Sequence, residues 1–224
     1  MKNLRVMWQA WRLDLRIMDR LPFFCAAGIL AIASFLSLAG QNVTLLRNTV
    51  EATVPLAFGL QSAFLLTPEN EAAIELLLSY PTSLSRLMWR RILSVALLYV
   101  GVALAACLVV QVLAGEMDGE SIILGWLVPA VALCGLSIFI SQVTRQGIFG
   151  ALATILVWGS SLYVGDGLLR RWPRLWAFHI YLQPEDTTPV HYLINRLVIG
   201  LIGLGLMMLA SMMLLNEERA LGVK

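Results

Sequence analysis

Charge is scarce in this 224-residue chain: Asp, Glu, Lys and Arg together make up 13% of it, about half the share of an ordinary soluble domain. Polar surface is correspondingly short. With 59% hydrophobic residues and a mean hydropathy of +0.79, the chain cannot cover its apolar side chains in water, which excludes a soluble single-domain enzyme. Cysteine is also rare. Cys25, Cys107 and Cys134 all lie inside apolar runs without a CxxC partner, so neither a disulfide nor a metal site is expected. The chain has no GxSxG elbow, no HExxH and no Walker-type GxxxxGK, so it should neither hydrolyse nucleotide nor carry a nucleophile of the usual kinds. The net charge of +2 is spread over loops and gathers on no single face, which gives nucleic acid no footprint.

What is present is apolar sequence in long runs. Six spans of about 20 residues need about 120 apolar positions, and 59% of 224 residues is close to that number. The runs fall at about 21–40, 50–66, 92–114, 121–141, 147–165 and 194–215. The second is interrupted by Glu51, Pro55 and Gln61. The expected architecture is therefore an all-α integral membrane protein of six transmembrane helices spanning residues 21–215, with an amino-terminal interfacial helix over 1–20 and a tail over 216–224.

The first twenty residues place Leu4, Trp8, Trp11, Leu15 and Met18 at helical spacing among Arg5, Arg12, Arg16 and Arg20. That is a basic amphipathic helix suited to the headgroups of an anionic leaflet. A signal peptide would have a shorter charged region. With the amino terminus in the cytoplasm, the inner segments hold eleven of the sixteen basic residues, and the outer ones hold Arg47, Arg170, Arg171, Arg174 and Arg196. The positive-inside bias thus favours both termini in the cytoplasm, and the expected location is the cell membrane. The outer segment 166–193, with Trp172, Trp176, Tyr181 and Tyr192, suits an interfacial or short re-entrant piece.

Ion-coupled transport calls for ionisable groups within the spans, and on these boundaries Glu51, Asp166 and Arg196 fall at span ends. Any energy source is expected elsewhere. His179, Glu185, Asp186 and His191 form the one enzyme-like grouping, but their spacing matches no ligand motif, and a solvated polar loop accounts for them equally. Gly200, Gly203 and Gly205 in the last run, and Ala27 with Ala31 in the first, allow close helix contact, within the chain or between copies.

The most informative stretch is ENEAAIELLLSYPTSLSRLMWRR, residues 69–91. Read as a helix to Ser79, it aligns Glu71, Glu75 and Ser79 on one face, with Ala73, Ile74, Leu76 and Leu77 covering much of the other. Pro81 breaks it, and Arg86, Arg90 and Arg91 then begin an anchored span at the headgroups. An apolar side with an acidic edge suits insertion into a groove on a soluble partner; the alternative is a helix lying on the bilayer surface, which its acidic residues disfavour at an anionic leaflet.

This loop, E-x3-E-L-L-L-S-x-P-T-S followed by the three arginines, resembles the cytoplasmic coupling helix of permease subunits of type-2 ATP-binding cassette (ABC) exporters. The basic amphipathic start is similar to that family's elbow helix. YLQPEDTTPVHYLINRLV before the last span and LLNEERALG after it look like its carboxyl-terminal ending. The resemblance implies a subunit that pairs with a second permease subunit, the same chain or a related one, and is driven by a separate ABC ATPase subunit that binds the ATP and Mg. No cofactor is then expected in this chain. Glu71, Glu75, Leu77, Leu78 and Pro81 would contact the ATPase, while Arg12, Arg16, Arg20, Arg86, Arg90 and Arg91 anchor to headgroups. Two other expectations compete: a non-transporting scaffold or assembly factor that docks a partner through 69–91, and an intramembrane enzyme using His179 and His191.

Overall fold

A computed structural model describes residues 21–40, 43–65, 84–114, 119–163, 167, 171–182 and 187–220. These residues are all-helical, with no strand among them. Six α-helices follow in order: α1 (Leu21–Gly40), α2 (Val43–Ser62), α3 (Leu84–Ala114), α4 (Gly119–Thr144), α5 (Gly147–Tyr163) and α6 (Pro189–Ala220), with a short 3-10 helix (Pro173–Phe178) between the last two. Three stretches are long and apolar enough to cross a membrane, Leu84–Ala106, Ile123–Thr144 and Pro189–Leu215, which is consistent with a membrane protein. Pro22–Ser37 and Gly147–Tyr163 are shorter apolar helices.

Side-chain size runs opposite to that of a water-soluble helix. On α1 the buried stripe is Ala26, Leu30, Ala33 and Ser37, while Phe24, Ile29, Ile32, Phe35 and Leu36 point outward. Small residues let the backbones approach, and the large apolar ones meet lipid without cost. The inward stripe is thus one register away from Ala27 and Ala31. Among the glycines of α6 only Gly203 works at a tight crossing: a Cβ there would lie 2.7 Å from Ala132 Cα, and a Cβ on Gly135 of α4 would collide with the Gly203 carbonyl. Gly205 faces open space.

α2 is the hub. It packs against α1, α3, α4 and α5, which explains how a helix carrying Arg47, Glu51, Pro55 and Gln61 persists here: its neighbours take the lipid exposure. Leu46, Val50 and Val54 are fully buried on it, against a core that includes Met88 and Val95 of α3 and Cys134 of α4. Pro55 lies inside the helix and is itself buried. α4 packs on α2, α5 and α6. The α4–α5 corner turns at Arg145, whose φ of 57° is a left-handed helix-ending conformation.

Helices outrun apolar runs. α2 starts at Val43 where the expected run began at 50, α3 at Leu84 where it began at 92, and α6 at Pro189 where it began at 194. The polar residues excluded by hydropathy are helical because the backbone hydrogen-bond ladder continues until something caps or breaks it. At α6 the start is explicit: Thr188 Oγ1 accepts from the His191 amide at 3.4 Å, its carbonyl accepts from the Tyr192 amide, and Pro189 fills the first helical position.

Candidate functional site

Longer helices change where the ionisable groups lie. Glu51 is the ninth of the twenty residues of α2 and only 5% exposed, and Arg196 is in the third turn of α6 and 4% exposed. Both therefore lie inside their helices, where the apolar runs placed them at run ends. One turn before Glu51, Arg47 donates from Nε to Glu51 Oε1 at 3.0 Å. Glu51 also fills the space left by Gly125 of α4, where a Cβ would lie 2.7 Å from Oε1. A buried carboxylate is therefore held by a guanidinium on its own helix and by a glycine notch on the next.

Another side of the same part of α2 is open and carries three threonines and an asparagine. Thr44, Leu45, Asn48, Thr49, Ala52 and Thr53 line a groove of about 540 Å³. Beside it, Trp158 of α5 donates from Nε1 to the Ala52 carbonyl at 2.8 Å, fastening α5 to α2. Polar side chains facing outward from an otherwise apolar bundle are poorly suited to lipid and well suited to water or to another chain.

The segment after α5 folds into the bundle. Ile180, Tyr181 and Leu182 are all under 10% exposed, with Ile180 and Tyr181 packed among Ala132, Leu133, Ile199, Val157 and Trp158. Irregular backbone placed so deeply needs donors, and two consecutive residues of α6 supply them. Asn195 Nδ2 donates to the carbonyls of Trp176 at 2.7 Å and His179 at 3.0 Å. Arg196 donates from Nη1 to Ile180 at 2.6 Å and from Nη2 to Leu182 at 2.9 Å, with its guanidinium 4.8 Å from the Tyr192 ring centroid. Four carbonyls of one strap are thereby satisfied from one turn. The Tyr181 hydroxyl is buried without a partner among the described residues. Burial pushes its ionisation upward from the ordinary phenol range; nearby Arg196 opposes this and Glu51 adds to it.

Of the residues expected to act, Glu71, Glu75, Leu77, Leu78 and Pro81, and likewise Arg12, Arg16 and Arg20, lie outside the described residues. Arg86 and Arg90 are exposed on the first turns of α3. Arg91 differs: it is 5% exposed and donates from Nη1 to the Leu65 carbonyl at 2.6 Å. Its position on α3 turns it inward, so it pins the end of α2 to the start of α3, where headgroup contact was expected. Ser85 and Ser211, 2.5 Å apart, add α6 to the same frame. His191 takes part in the α6 cap through Nδ1 and Thr188 Oγ1, and its ring meets Trp176 at 4.7 Å. Among the described residues no group of three His, Cys, Asp or Glu could hold a metal. No protein-family model, curated protein or solved structure matches this chain.

Sequence reasoning missed the Asn195–Arg196 pair. The available signal was two adjacent polar residues in LINRLVIG, one turn or two inside a long apolar helix, where each demands a partner.

Proposed function

We propose that this chain is a six-span permease subunit of an ATP-driven ABC exporter, residing in the cell membrane with both termini cytoplasmic. It pairs with a second permease subunit and is powered by a separate ATPase subunit docked on 69–91. The observation that carries this is the open polar groove on α2, in a bundle whose other outward side chains are largely apolar. A second subunit placed against that groove would enclose a polar passage between the two chains. The frame made by Arg91 with Leu65 and by Ser85 with Ser211 adds support, because it ties the two stems of the segment 66–83 to α6, so that force applied at the loop reaches three helices at once.

The test is affinity purification of the full chain in mild detergent, with mass spectrometry and an ATPase assay of what accompanies it. A stoichiometric nucleotide-binding subunit is expected, and it should be lost in the double variant Glu71→Lys and Glu75→Lys. Recovery of the chain with no ATPase across several detergents would favour the scaffold alternative, and a charge-reversed loop that still binds and drives its ATPase would remove the coupling role.

A further inference from the structure

A second cavity, of about 190 Å³, lies on the other side of α2. Its long wall is one stripe of α3, Trp89, Ile92, Ala96, Tyr99 and Val100, closed by Phe58 of α2 and by residues of α4 and α6. From Trp89 to Val100 the helix rises about 16 Å, roughly one leaflet of a hydrocarbon core about 30 Å thick. The surface is apolar throughout, and Trp89, Leu127 and Leu204 at its rim are exposed on the outside of the bundle. The cavity is smaller than the roughly 300–1,000 Å³ that takes a drug-sized molecule. It is a slot for a stretch of a single chain, open sideways to the membrane.

Its Trp89 end is marked by charge. Arg86 and Arg90 are exposed on α3 on either side of Trp89, at the level where tryptophan and arginine meet headgroups. An acyl chain in the slot would leave its phosphate at the level of two exposed guanidiniums, so one anionic lipid matches the apolar slot and the charge at its end. We propose that this cavity binds one anionic phospholipid of the surrounding bilayer, with an acyl chain along α3 and the headgroup on Arg86 and Arg90. The proposal rests on the membrane-spanning reading alone and is independent of any ATPase partner. The bound lipid would fill the space between α3 and the α2–α4–α6 wall, becoming part of the packing of the helix that begins at the coupling loop.

The experiment places the full chain in bilayer discs of dioleoyl-phosphatidylcholine and dioleoyl-phosphatidylglycerol, equal parts, and counts retained lipids by native mass spectrometry after release into detergent. One phosphatidylglycerol per chain is expected to survive conditions that strip phosphatidylcholine. Arg86→Gln and Arg90→Gln should each weaken its retention about fivefold, the effect of one surface cation on an anionic lipid, and Ala96→Phe should abolish it by filling the slot. Trp126 provides a check on the native chain: it lines the cavity and is 3% exposed, so a chain seated in the slot lies against it. Phosphatidylglycerol brominated on its acyl chains should quench it, read as the quenching lost on Trp126→Phe. Equal retention of both lipids, full retention in Ala96→Phe, or quenching unchanged in Trp126→Phe would each overturn the site, while leaving the exporter proposal untouched.

Discussion

Replacing Arg196 by Met removes two hydrogen bonds and leaves the carbonyls of Ile180 and Leu182 buried with no donor. A hydrogen bond to a charged group contributes about 1.5–3 kcal/mol, whereas polar bonds measured inside membrane bundles average about 0.6 kcal/mol. For two bonds these bounds run from about 1 to about 6 kcal/mol. Loss of the contact with the Tyr192 ring adds to the cost, and release of a buried guanidinium whose Nε has no partner among the described residues subtracts from it. A net cost of about 3 kcal/mol is expected, a factor of roughly 100 in the equilibrium for lifting the strap. Hydrogen–deuterium exchange of peptides covering 176–182, in detergent or bilayer discs, reads that equilibrium directly. Arg196→Lys should recover about half, because one ammonium does not reproduce a fork reaching two carbonyls. Asn195→Ala should open the same peptides by a smaller factor, and the double variant should cost less than the sum, since both residues hold one segment. Exchange in Arg196→Met within about threefold of the parent would refute the clasp, as would strictly additive effects.

Three further outcomes follow from other contacts. Glu51→Leu alone leaves the part-buried Arg47 without the carboxylate 3.0 Å away and should cost about 1–3 kcal/mol, whereas adding Arg47→Met should restore most of it; equal losses in the single and double variants, by thermal unfolding in detergent, would count against the pair. Gly203→Ala forces a methyl to 2.7 Å from Ala132 Cα and should destabilise by about 3 kcal/mol or abolish expression, while Gly205→Ala, facing open space, should stabilise the helix by up to about 1 kcal/mol; a reversed order would place the α4–α6 crossing elsewhere. Tyr181 holds its proton more tightly folded than unfolded, so its share of stability is whole below about pH 10 and drains away as pH rises from there. Tyr181→Phe should flatten that alkaline loss and, by deleting a buried hydroxyl with no partner among the described residues, add about 1 kcal/mol at neutral pH; an unchanged alkaline limb would show that other groups set it.

The apolar runs locate the six helices, α2 through the weakest and most interrupted of them, and hydropathy misplaces their ends because it weighs residues singly. Residues 43–49 fall outside the apolar run of α2 on account of Arg47, Asn48 and Thr49, yet a helix backbone carries such residues readily when one side meets protein and another meets water or a partner chain. The same averaging makes Glu51 look like an interruption at a boundary, when pairing with Arg47 and the Gly125 notch make it an interior residue. Adjacency groups Arg91 with Arg86 and Arg90. On a helix, though, one residue turns the side chain by about 100°, and that rotation separates two exposed cations from one that bonds Leu65. The strap is beyond periodicity altogether: Ile180–Leu182 is too short to register as an element, and its burial depends on donors lying 14 to 16 residues further along the chain. What composition alone implies is a demand. Each polar group in so apolar a chain must find a partner, and following Asn195, Arg196, Arg47, Trp158 and Arg91 to theirs accounts for how the strap, the hub helix and the loop stems are held.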